Sequence, residues 1–261
     1  MPARRADPTR TAAALLGQAD HILDWLAARP PSQWRRPSVL PGWTIGELAV
    51  HLETMLAAIG RTLARSTRAK PLAVAEYLGR YAAAAEEVLE RDKRSATGRA
   101  PDEILAGLYA GRDAAARAIA DPRPARTVEG GRGPISPADY LVTRVIEAVV
   151  HSDDLSRSLP DIPSVVLDRD ALRISAQSLA DVLAARAPGR SLELRIPPYA
   201  AVQAVEGPRH TRGTPPNVVE TDPLTWARLA AGRISWSEVT KDGSVHASGE
   251  RADLGPWLPL L

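Results

Sequence analysis

From about residue 8 to residue 159, apolar residues recur at intervals of three and four, a period that predicts consecutive helices separated by Gly, Pro and Ser breaks. The second of these segments is the clearest. Ile45, Leu48, Leu52, Met55, Ile59 and Leu63 fall on one stripe, and Thr44 with Glu47 forms a capping-box pattern at its start. His51 lies beside that stripe. A later start signal is Ser136-Pro137, with Ser136 as N-cap and Pro137 in the first helical position, and it predicts a helix running to about Ser158. Glu147 and His151 are four residues apart in that helix, so their Cβ atoms should sit roughly 6 Å from each other on one face. The whole region predicts a helical bundle.

The pattern changes after Leu159-Pro160-Asp161-Ile162-Pro163, a break that ends the helix and reads as a linker. A helix over about 168–186 precedes short alternating runs at 192–196 and 201–205, separated by Pro197-Pro198. Further strand candidates lie at 217–221 and 244–248, around a helix near 223–231. The expected fold class is α+β with two domains: a helical bundle over 1–160 and a smaller α+β domain over 165–261. The chain has no repeat of fixed period and no GxGxxG or GxxxxGK[ST] phosphate loop, and Gly130-Gly131-Arg132-Gly133 reads as a loop between helices.

Composition narrows the function classes. Of 261 residues, 44% are hydrophobic and 25% charged, as in soluble globular proteins, and no apolar run approaches the roughly 20 residues that span a bilayer. The N-terminus is basic without an apolar run behind it, so no secretory signal is read and a cytoplasmic location is expected. A net charge of only +2 gives little reason to expect a nucleic-acid partner. The absence of cysteine excludes disulfides, Cys-ligated metals and a protein thiol nucleophile; any thiol chemistry needs an added small thiol.

The candidate chemistry sits on the two best-marked helices. If they pack together, His51, Glu147 and His151 can close on one metal ion, and two imidazoles with one carboxylate leave an open position, as in catalytic zinc sites. Spacing alone favours the plainer reading of polar residues satisfied at a bundle surface. The surroundings favour the metal: Val145, Ile146, Val149 and Val150 flank Glu147 and His151, where a carboxylate must be paired. Asp153 and Asp154 either orient a ligating imidazole or occupy an exposed turn, the second reading being favoured for at least one of them. Trp43 reads as a hydrophobic staple at the helix entry, His21 as part of a solvated helix side and His246 as a packed strand residue. His210 lies in the cationic loop 209–213, where Arg209 and Arg212 could clamp a carboxylate substrate or simply be solvated. Ser152 has no partners at triad spacing and no nucleophile-elbow sequence around it.

Two blocks together, Leu40-Pro41-Gly42-Trp43-Thr44-Ile45-Gly46-Glu47-Leu48-Ala49-Val50-His51-Leu52 and Glu147-Ala148-Val149-Val150-His151-Ser152-Asp153-Asp154-Leu155, resemble the mycothiol-dependent maleylpyruvate isomerase family of the DinB-like superfamily. The resemblance covers most of residues 10–160. It implies a DinB-like four-helix-type bundle in which His51, Glu147 and His151 bind a divalent metal, usually zinc. The second half, through 221–232 and 245–250, resembles a sterol-carrier-protein-type α/β domain. The function so implied is a metal-dependent isomerase or thiol transferase in which the thiolate of mycothiol occupies the open metal position and attacks a small electrophilic substrate. Its partners would be a small-molecule substrate and a low-molecular-weight thiol, without nucleic acid or membrane insertion. Sterol-carrier-type domains also carry apolar ligands, so the competing expectation is a non-enzymatic small-ligand or lipid carrier with a vestigial or structural metal site. Oligomeric state is left open.

Overall fold

The computed structural model describes residues 7–121, 125–207 and 217–261. These fall into two compact units: one holds the described residues up to Ala73 with Arg80–Ala171, the other Val74–Gly79 with Leu172–Leu261. Among the described residues, no helix is long and apolar enough to cross a membrane.

The first unit is a bundle. Its helices are α1 (Pro8–Ala27), α2 (Pro31–Trp34) and α3 (Ile45–Leu63); α4 (Val74–Leu78) belongs to the other unit, and α5 (Ala85–Ala96) and α6 (Pro101–Ile119) follow. A short hairpin of β1 (Val128–Gly130) and β2 (Gly133–Ile135) leads into α7 (Pro137–Ser158). Helix α3 packs along α6 and α7, and α1 along the same two, which closes a ring of four long helices. The stripe on α3 makes this possible: Ile45, Leu48, Leu52, Met55 and Ile59 are buried, while Leu63 at the helix end is half-buried. Its start is fixed reciprocally, since Glu47 N–H donates to Thr44 Oγ1 at 3.2 Å and Thr44 N–H to Glu47 Oε2 at 2.6 Å. Gly111 lets α6 approach α3 closely, for a Cβ there would lie 3.3 Å from the Ala57 backbone nitrogen and from Leu56 Cβ.

Ser136 caps α7 by accepting from Asp139 N–H, with Pro137 in the first turn, as the sequence predicts. Buried residues run around most of this helix, which identifies it as the centre of the unit. Gln18 of α1 secures the segment beyond α7. Its amide donates to Ser152 Oγ at 3.0 Å and to the Val166 carbonyl at 3.1 Å, and its oxygen accepts from Asp168 N–H at 2.8 Å. The Gly130-Gly131-Arg132-Gly133 stretch is the tip of the β1–β2 hairpin and not a plain loop: Gly130 pairs with Gly133, whose φ of 119° lies in the region that favours glycine.

The second unit contains α4, most of α8 (Arg169–Arg186), β3 (Leu192–Ile196), β4 (Ala200–Ala204), β5 (Val218–Thr221), α9 (Pro223–Ala230), α10 (Trp236–Asp242) and β6 (Val245–Ser248). The sheet has the order β4-β3-β5-β6, with β3 parallel to β5 and the other neighbours antiparallel. Alternation sets the face of β3: Leu192, Leu194 and Ile196 are buried, and Glu193 pairs with Arg195 at 2.6 Å on the other face. On the edge strand β6 only Val245 is buried, and His246, Ala247 and Ser248 are all exposed, so His246 is not the packed residue expected from its neighbours.

Candidate metal centre

Three helices of the bundle supply the candidate site. From α3 comes His51, from α7 come Arg144, Glu147, His151 and Asp154, and from α5 comes Asp92. His51 Nε2 lies 2.9 Å from Glu147 Oε1, and the two imidazoles meet edge to face with centroids 4.9 Å apart at 81°. One ligating atom each from His51, Glu147 and His151 lies within 4.8 Å of the others, a spacing at which all three can reach one metal ion. Their side chains are 11–13% exposed, so the point where they converge is nearly but not fully sealed. Trp43 stands against His51 with its ring centroid 5.7 Å away, so the entry residue touches the site as well as preceding the helix.

Each imidazole is held from its far side. His51 Nδ1 is 2.8 Å from Asp92 Oδ2, and His151 Nδ1 is 3.0 Å from Asp154 Oδ2. Both carboxylates are fully buried. This leaves Nε2 of each ring facing the common point, the orientation in which a carboxylate behind a ligating histidine fixes tautomer and direction. Glu147 is held by charge: its Oε2 is 2.5 Å from Arg144 Nη1, yet that buried oxygen has no aligned hydrogen-bond donor. A buried, ionised carboxylate beside two aimed imidazoles fits a divalent cation, and a two-histidine, one-carboxylate set suits zinc and several other first-row ions.

Electrostatics of the metal-free protein follow from this packing. Burial disfavours the charged form of His51, but hydrogen bonds to Asp92 and Glu147 outweigh it and push its pKa up to about 9. Glu147 also resists burial, mainly through the charge of Arg144 and then the bond to His51, and falls to about 2. Burial lowers His151, reinforced by the charge of His51 and opposed by Asp154. Two neighbouring imidazoles therefore differ: one is held as a cation and the other is kept neutral.

Sequence reasoning proposed His51, Glu147 and His151, and the fold brings these three together. An exposed turn at Asp153 and Asp154 is not what the fold provides. Both are buried, because the C-terminal half of α7 is enclosed on nearly every side and polarity there marks internal pairing, not solvent. Arg209, His210 and Arg212 lie outside the described residues. Asp92 and Arg144 were not anticipated. Arg144 stands three residues before Glu147, a helical ion-pair spacing that could have disclosed it; Asp92 reaches His51 from another helix and left no local signal. A groove of about 560 Å³ also opens in the bundle, lined among others by Trp34, Thr44, Glu47, Lys93, Thr97 and Ile104, and by none of the three converging residues.

Fold and site thus define a class: a helical bundle presenting a His/Glu/His group, followed by a small α+β unit. The mycothiol maleylpyruvate isomerase N-terminal domain model matches residues 2–156, more than half of the chain, and the chain belongs to that family. A bacterial SCP ortholog model matches residues 168–260. Among solved structures, the crystal structure of the mycothiol-dependent maleylpyruvate isomerase is similar over 93% of both chains, at 17% identity and a TM-score of 0.60. A histidine-to-alanine mutant of that protein matches over the same shares at 16% identity and the same TM-score. At such identities the likeness is one of fold. Comparison with curated proteins gave no match.

Proposed function

We propose that this chain is a metal-dependent enzyme of small-thiol chemistry, an isomerase or thiol transferase that uses mycothiol on a small electrophilic substrate, with His51, Glu147 and His151 as its metal ligands. The observation that carries this reading is the convergence of the three side chains within 4.8 Å, with each imidazole backed by a buried carboxylate. Membership of the mycothiol maleylpyruvate isomerase N-terminal family supports the choice of thiol. A divalent ion, usually zinc, supplies positive charge that favours thiolate over thiol and so provides the nucleophile that a chain without cysteine lacks.

The residues of the chain do the rest. Asp92 and Asp154 hold the two imidazoles with Nε2 presented, Arg144 keeps Glu147 ionised inside the bundle, and Trp43 shields one side of His51. Arg209 and Arg212 are assigned, from charge alone, to positioning an anionic substrate. Such an enzyme would work in the cytoplasm with a low-molecular-weight thiol and a small molecule as its partners.

The test is metal content by elemental mass spectrometry on tag-free protein after controlled zinc reconstitution, in wild type and His151→Ala. Near-stoichiometric zinc in wild type, with most of it and the mycothiol-dependent turnover of maleylpyruvate lost in the variant at unchanged helical content, is the expected result. Equal metal content in the two proteins would remove this ligand set. Absence of bound metal in both would favour the carrier reading and turn attention to apolar ligands of the second unit.

A further inference from the structure

Helix α5 is an unusual member of the bundle. Of its 12 residues, Asp92 alone is buried, at 0% exposure, while Val88 and Leu89 are only half-buried and the rest are half-buried or exposed. A surface helix ordinarily buries an apolar stripe. This one buries a carboxylate, which is unfavourable unless the charge is fully paired. Pairing is complete: Asp92 Oδ1 accepts from Arg91 Nε at 2.8 Å, and Oδ2 accepts from Arg91 Nη2 at 2.9 Å and lies 2.8 Å from His51 Nδ1. The start of the helix adds little, because Ala84 offers no side-chain cap. The main neighbour of α5 among the long helices is α3, which carries His51.

We propose that Asp92, braced by Arg91, is a positioning residue that fastens α5 to the metal centre: the bond that aims His51 is also the bond that seats the helix. The part concerning metal rests on the ligand assignment made above; the seating of α5 does not. One consequence is a coupling between the centre and the groove, since Lys93 and Ala96, which follow Asp92 on α5, and Thr97 at the helix end line it. Loss of the Asp92–His51 bond loosens that lining while leaving the four long helices packed.

Two measurements on the full-length chain test this: amide hydrogen exchange across residues 85–96, and zinc affinity by chelator competition, in wild type, Asp92→Asn, Asp92→Ala and His51→Ala. In metal-free protein, Asp92→Ala and His51→Ala are each expected to speed exchange in α5 by about tenfold or more, with α6 and α7 unchanged. His51 is on another helix, so acceleration in α5 on its replacement reports the bond itself. Zinc affinity is expected to fall by about 10- to 100-fold in Asp92→Ala and by less in Asp92→Asn, which keeps the shape and one acceptor. Unchanged α5 exchange in both alanine variants overturns the seating role, and zinc affinity within about twofold of wild type in Asp92→Ala overturns the positioning role. If wild type binds no zinc, the ligand assignment and the positioning role fail together, and the exchange data still decide whether Asp92 seats α5.

Discussion

His51 in the metal-free protein is a cation between two carboxylates, and its titration has consequences of definite sign. Its pKa is raised from 6.5 to about 9, so the stability it contributes is fully present below pH 6.5 and is lost as pH rises through about 9. Glu147 runs the other way. Lowered from 4.5 to about 2, it contributes above pH 4.5 and loses that contribution as pH falls through about 2. A metal at His51 must displace the imidazole proton, whereas burial already keeps His151 from holding one. Zinc binding near pH 7 is therefore expected to release about one proton and to tighten by about tenfold per pH unit between pH 6 and 8. Calorimetry in buffers of different ionisation enthalpy measures this directly, and a heat independent of buffer would contradict the charged state assigned to His51. The three converging residues were legible because their spacing on two well-marked helices, and the motif blocks around them, survive in one dimension. Asp92 was not, since only the fold brings it to His51; of the two readings for Asp153 and Asp154, the exposed turn fails because charge was equated with exposure, whereas Asp154 does back a candidate ligating imidazole.

At the scale of elements, what could be read depended on length and caps. Helices α3 and α7 carry both a periodic apolar pattern and a side-chain cap, and β3 carries strict alternation, so each was predicted close to its observed span. The short pieces α2, α4, β1 and β2 are three to five residues long and hold too little of any period to be recognised. Helix α10 is only seven residues long but its Ser235–Glu238 capping box was present in the sequence and went unused. Packing between elements was equally hidden, as at Gly111. Replacement by leucine there removes the helix penalty of glycine, about 1 kcal/mol, but forces a side chain against the α3 backbone at a contact already 3.3 Å away. Overpacking prevails, and Gly111→Leu is expected to lose about 1–3 kcal/mol of stability in denaturant unfolding. A variant as stable as wild type would mean that α3 and α6 can separate freely, contrary to the close approach described.

For the whole molecule, the change of pattern after residue 159 was visible, yet the second unit is not continuous in sequence. Val74–Gly79 belongs with Leu172–Leu261, although it is flanked on both sides by bundle residues. Reading along a chain assumes that neighbours in sequence stay together, and a five-residue helix offers no signal that it has changed allegiance. Within that unit Arg186 Nη2 reaches the Ala75 carbonyl at 3.5 Å and lies 3.3 Å from where a Cβ on Gly79 would be, and Tyr77 and Leu78 are each only 1% exposed. Two large side chains buried so completely contribute on the order of 1.5–3 kcal/mol each, a large share of the stability of a domain of about a hundred residues. A fragment restricted to residues 165–261 is therefore expected to unfold at lower denaturant than the same unit in the intact chain, and to bind a hydrophobic dye. Adding a peptide of residues 72–81 should recover part of the difference in a concentration-dependent manner, because a segment that binds only the folded form stabilises it by mass action. If the fragment alone unfolds cooperatively at the intact unit's midpoint and the peptide has no effect, Val74–Gly79 is not a structural part of the second unit. Peptide-dependent recovery would show that the second unit is assembled from two separate stretches of the chain.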